Sequence, residues 1–427
     1  VNADVDTTAS GSIYGRTTTS SISVGAGATI SSVDGGILLT SATDVALDGA
    51  VQNVGMTADV GLIATGDAMV GGSISAGRNA YIQAGQDISL GFVGATNIVA
   101  LEAGRDVIDG NGAALNVAAP GLIVRAGGRI GHAGGNGLNT QVDDVAAVSG
   151  DGIYLQEVDD VVITEVQSAG SVEVTSVNFD STTATQSVAS VGALSDLTSG
   201  GVVKLEAGGN ITVTDGGDSD GLGVEALNAE DVLLESLAGG VLVNSGVSSN
   251  GGNITIAADQ TINVNDHVTT TLAGSIYLRT TTGNIEVASG VNVASVFGDI
   301  LLRSGASILH FGAITNSGPV ADIGLQAVES VDMTLGGIIS TSRDILVTAG
   351  TDITLGSLTA LRNVALTAGN NINDANAGTL NVAAQELSMR AGGRIGHPAN
   401  NGLNVQVDVL AAEAVGAGGI YIQEANA

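Results

Sequence analysis

Cysteine and tryptophan are absent, and 427 residues include only three prolines, four phenylalanines and five tyrosines. Without cysteine there is no disulfide framework, no thiolate metal site and no thiol nucleophile. With so few rings, a sandwich core packed around a tryptophan cannot be assembled. Basic residues are also scarce: 12 Lys and Arg stand against 43 Asp and Glu, a net charge of −31, and Lys204 is the only lysine. Phosphates are held by basic stripes, so neither nucleic acid nor an anionic membrane surface is an expected partner. No apolar run reaches the roughly 20 residues that span a bilayer. The opening VNADVDTTAS has neither the basic start nor the apolar middle of a signal peptide, so an export signal would lie outside these residues.

What is abundant is small. Hydrophobic residues make up 44%, nearly all Val, Ile, Leu and Ala, and there are 64 glycines that do not fall on every third position, which excludes collagen. The chain also contains itself. GSIYGRTTT at Gly11–Thr19 returns as GSIYLRTTT at Gly274–Thr282, RAGGRIGH at Arg125–His132 returns at Arg390–His397, and GIYLQE at Gly152 returns as GIYIQE at Gly419. Residues 1–157 therefore match 264–424 within the final stretch 264–427, and 158–263 occur once, completing a long unit of about 265 residues. The expectation is a window onto a longer tandem array.

Within that long period runs a short one, in which an alternating strand is followed by a turn and a second strand: NAYIQAGQDISL from Asn79, NIVALEAGRDVI from Asn97, RDILVTAGTDITL from Arg343. A spacing of about 19 to 30 residues fits one coil of a β-solenoid. The prediction is an all-β fold, a parallel β-helix running continuously over 1–427 in about 17 to 18 coils, each near 4.8 Å deep, giving a rod of about 80 to 90 Å. Alternation turns Val99, Leu101, Leu122, Val124, Ile153, Leu155, Val203, Leu205, Ile276, Leu278, Ile300, Leu302, Val364 and Leu366 inward. Ala-Gly steps mark the corners, with Gly85, Gly104, Gly127, Gly208, Gly350, Gly369 and Gly392 free to take positive φ. An outward column is expected to run through Arg16, Thr40, Gln83, Glu102, Arg125, Gln156, Thr175 and Glu206, setting register by charge pairs such as Glu102 with Arg125.

Repeated AGxxI strands, Asn/Gly corners and units ending in GDGIYLQE resemble the filamentous-haemagglutinin-like and related giant repetitive surface proteins of bacteria. The resemblance implies a right-handed parallel β-helix, an extracellular or cell-surface location, and an adhesive or structural role. Self-association, end to end or side by side, is the expected partnership, with cell-surface glycans as the alternative.

Sites with chemistry are few. Arg129 and His132, with Arg394 and His397 in the copy, are a pair able in principle to polarise a uronate and move a proton, but Asp144 of the nearby Asp143–Asp144 pair becomes Val409, so a structural corner is the preferred reading and no enzyme is expected. Asp215, Asp218 and Asp220 in TDGGDSDGLG are the candidate calcium ligands, weighed against a solvated acidic loop; otherwise no cofactor is expected. GGNGLN at Gly134–Asn139 lacks the helix a nucleotide loop needs. Tyr14, Tyr81, Tyr154, Tyr277 and Tyr421 are expected at the outward position of the first strand, decorating one face, where sugars can stack on their rings.

Overall fold

The computed structural model describes residues 1–134, 137–178, 180–188, 191–334, 336–399 and 402–425, so Gly135 and Asn136 of GGNGLN lie outside the described residues. Two compact units are present, one of residues 1–208 with 214–223, the other of 209–213 with 224–427. Among the described residues there is no helix, and thus none long and apolar enough to cross a membrane. The strands form a parallel β-solenoid of about 18 turns in all.

In the first unit a typical coil has three short strands, Ile37–Ser41, Val45–Leu47 and Ala50–Asn53, one for each face. Its alternating residues are stacked in register, so that Ile13, Ile37, Val60, Ala80, Val99, Leu122 and Val145 form one column. The second unit repeats the plan with Ile276–Thr280, Ile285–Val287 and Asn292–Ser295, and a column Val232, Ile254, Ile276, Ile300, Ile323, Ile345, Val364 and Leu387. All fourteen inward assignments are buried. A coil of about 20 residues cannot offset its own ordering entropy, so burial is achieved only between neighbours.

Some strands run across two faces. Val117–Ala126 lays Val117 on Val93 and Leu122 on Val99, with Pro120 at the bend where the ladder to the next coil skips a residue. Proline has no N–H to donate, and here none is required.

The seven corner glycines do their work by a different route from the expected one. None has positive φ. Instead each packs on the backbone of the coil before it: a Cβ on Gly104 would lie 2.2 Å from the Gly85 carbonyl oxygen, and one on Gly369 would lie 1.9 Å from that of Gly350. The Gly104 N–H donates to the Ala84 carbonyl at 2.9 Å, keeping the ladder intact around the corner. Gly104→Ala is therefore expected to destabilise the first unit by about 1 to 3 kcal/mol through forced separation of coils, read as a lowered denaturation midpoint. Gly112→Ala is a weaker control, because nothing lies near its Cβ and only its φ of 70° opposes the change.

Candidate functional site

The largest departure from the coil plan lies in the part that occurs once. Between Val161–Ile163 and Leu197–Ser199 the chain leaves the stack, and Val172–Val177 pairs antiparallel with Thr183–Val188 as a hairpin. Its turn is closed by Asp180, whose carboxylate accepts from the Thr182 N–H at 3.0 Å and hydroxyl at 2.6 Å. Thr175, expected in the outward coil column, belongs to this hairpin instead. The alternation of VEVTSV is that of a coil strand, so pattern alone could not separate the two.

This excursion covers the first face of its unit. Val166, Ala169, Val172 and Val191 are buried with Tyr81, Ile98, Ala100, Ile123 and Ala146. Asn79 donates its side-chain N–H to the Ala169 carbonyl at 2.6 Å, and Arg125 donates to that of Ala193 at 3.2 Å. Tyr81 is therefore not a surface decoration: it is 3% exposed, its hydroxyl donates to Glu102 at 3.1 Å, and burial followed by the Glu102 charge raises its pKa.

Nor do the tyrosines share one face. Tyr14 and Tyr81 belong to one column through Leu38 and Gly61. Tyr154 lies in Gly152–Glu157, which stacks Ile153 on Ile130 and Leu155 on Leu138, and its neighbour in register is Lys204. Tyr277 lies in Ile276–Thr280 between Thr255 and Leu301, while Tyr421, just before Ile422–Glu424, is about one-third exposed. The outward column is likewise corrected: Gln83, Glu102 and Arg125 are in register as expected, but Arg125 is followed by Val148, and Gln156 pairs with Glu206 in a different column.

Arg129 has a plain role in the coil stack. Asp44 accepts from the N–H of Asp67, Asp67 from Asp87 and Asp87 from Asp106, each at 3.0 Å, and Asp106 accepts from Arg129 at 2.7 Å. Arg129 thus heads a column of carboxylates that cap successive coils, and Arg105 braces the column with a 2.7 Å bond to Asp87. Arg394 caps a shorter column of Asp352 and Asn371. The histidines differ between copies: the His132 Nδ1 lies 2.7 Å from the Ala133 carbonyl, whereas the His397 Nδ1 accepts from the Ala399 N–H. Around His132 one cleft gathers Asp106, Asp109 and Arg129 and another Tyr154, Gln156 and Lys204.

The acidic loop is only partly as expected. Asp218 and Asp220 converge with Asp196, their oxygens within 4.8 Å of one another. Asp215 instead accepts from the Gly221 N–H at 3.3 Å. Asp196, at the return of the excursion, is 4% exposed, and burial together with the Asp218 charge raises its pKa to about 7. Such oxygens suit a hard cation, and a shared proton satisfies them equally well. Asp196 was not legible as a partner because nothing local in the sequence shows that the chain returns there.

One groove brings several polar groups together in the first unit. Tyr14, Leu38 and Ile63 make its floor, Arg16, Thr40 and Gln83 run along it, and Gln186–Val188 of the hairpin form its wall.

No protein-family model matches the chain, and no curated protein and no solved structure does.

Proposed function

We propose that the chain is an extracellular structural element, a length of shaft from a repetitive bacterial surface protein or fibre of the filamentous-haemagglutinin-like kind. The observation that carries this reading is what the duplication copies. Asn116 and Asn381 are both fully buried, and each donates to two carbonyls, an Asp and an Asn, while accepting from one backbone N–H, at nearly identical distances. This corner is thus reproduced bond for bond, while chemistry outside it drifts, as with Asp144 and Val409, or the bonds of the two histidines. Selection on a reaction favours the opposite pattern. In this reading a shaft works mechanically: hydrogen bonds run from coil to coil, so a pull along a stack is shared by every strand of a coil. The acidic surface keeps neighbouring copies soluble while leaving coil edges as the route to self-association.

Electron microscopy of the native material with an antibody to this chain tests the reading. Labelled fibres or projections on unpermeabilised cells are the expected result. Label that reaches its target only after lysis would sink it.

A further inference from the structure

The groove beside Tyr14 is poor in negative charge for so acidic a chain. It has a volume of about 480 Å³, and none of its nine lining residues is acidic in a chain with 43 Asp and Glu. Its one cation, Arg16, is exposed and makes no ion pair or side-chain hydrogen bond among the described residues. The copied Arg279 is by contrast held 3.5 Å from Glu235. Arg16, Thr40, Ile63 and Gln83 follow one another in register, so the groove extends over about 14 Å of successive coils. Among the described residues only the first unit has the wall, because the segment that forms the hairpin occurs once in the sequence.

We infer that this groove binds an oligosaccharide with a single uronic-acid unit among neutral sugars. The Tyr14 ring and the apolar floor offer a surface for the C–H face of a pyranose. Gln83, Gln186 and the hydroxyls of Thr40 and Ser187 both donate and accept, as sugar hydroxyls require. Arg16 presents a fork of N–H donors that matches one carboxylate. A densely charged polysaccharide is disfavoured, since a protein with net charge −31 repels a polyanion as a whole. One carboxylate placed over Arg16 gains the contact without that repulsion. The site is independent of the shaft role, and either assignment can fail alone.

Calorimetric titration of the full chain with two probes tests it: a glucose oligosaccharide with one glucuronic-acid unit, and the same compound with that carboxyl reduced to the alcohol. The acidic probe is expected to bind about tenfold tighter, equivalent to about 1.4 kcal/mol. Arg16→Gln should abolish that preference while leaving the neutral probe unchanged, Tyr14→Ala should weaken both, and Arg279→Gln should alter neither. Equal melting of the variants and the parent excludes unfolding as the cause of a loss. No binding of either probe, equal binding of both by the unaltered chain, a preference that survives Arg16→Gln, or full affinity in Tyr14→Ala overturns the inference.

Discussion

Asn116→Ala is expected to destabilise its coils by about 3 to 5 kcal/mol, and Asn116→Asp by more. The side chain is fully buried at a corner where the loop from Asp109 rejoins the stack. Its amide N–H groups reach the Leu90 and Gly91 carbonyls at 2.9 and 3.3 Å and the side-chain oxygens of Asp109 and Asn111 at 2.9 and 3.0 Å, while its own oxygen accepts from the Asn139 N–H at 2.9 Å. Alanine removes these bonds and leaves their buried partners facing a small cavity. Aspartate keeps the acceptor for Asn139 but aims a second oxygen at four others, one of them on a carboxylate. Order of stability therefore distinguishes a donor requirement from simple volume: Asn above Ala above Asp. Hydrogen exchange in Ile88–Ala95 and Val117–Ala126 reads the loss locally, where a single melting curve of a repeat stack would blur it. The same ranking at Asn381 is expected around Ile353–Leu355 and Val382–Ala391, since its bonds are the same in kind. An Asp variant as stable as the Ala variant would overturn the donor argument.

The fold was legible because it is written in columns. A coil stack requires small aliphatics at every second position of each strand, and Val99, Leu101, Leu122 and Val124 display that rule without help from distant residues. The Asn corner was equally within reach, since Asp109, Asn111 and Asn116 recur at the same spacing as Asp374, Asn376 and Asn381. By contrast Tyr81 was misplaced, because outward on a coil means exposed only if nothing else lies over it. That depends on where Thr164–Asp196 folds back, a long-range fact with no local signature. The corner glycines show a subtler limit: their positions follow from the repeat, whereas the reason for glycine, an approach to the backbone beneath and not a left-handed turn, is visible only once coils are stacked. The copy offers a partial cue to the covering of Tyr81. Leu346 takes its place and is half-exposed, while Ile98 and Ile123 give way to Asn363 and Ser388 on the same face of the second unit. Polar residues have replaced apolar ones where, among the described residues, no hairpin lies over them.

The two units are expected to lose stability at opposite ends of the pH scale. In the first, Glu157 is 5% exposed and burial raises its pKa to about 8, though the Thr140 hydroxyl at 2.7 Å favours the ionised form. Asp196 is raised to about 7 by burial and by the charge of Asp218. Both groups keep their protons in the fold where the unfolded chain has released them, so their contribution is complete below the ordinary carboxylate range. It is lost as pH rises through about 7 and then 8. In the second unit His310 is fully buried, its Nε2–H donates to the Ile338 carbonyl at 2.9 Å, and its other ring nitrogen has no partner among the described residues. Burial lowers its pKa to about 4, so its contribution is complete above the ordinary histidine value of 6.5 and falls away as pH drops from there through 4. At about 1.4 kcal/mol per pKa unit, each limb amounts to a few kcal/mol. Hydrogen exchange between pH 4 and pH 9, corrected for the intrinsic pH dependence of exchange, should show the first unit opening toward alkali and the second toward acid. Glu157→Gln should shorten the alkaline limb, leaving the part that Asp196 contributes up to about pH 7. His310→Leu should flatten the acid one, and Leu47, the buried residue at the matching place in the first copy, shows that the coil accepts that side chain. Identical pH profiles for the two units, or limbs of unchanged size in both variants, would show that these buried groups do not govern the response.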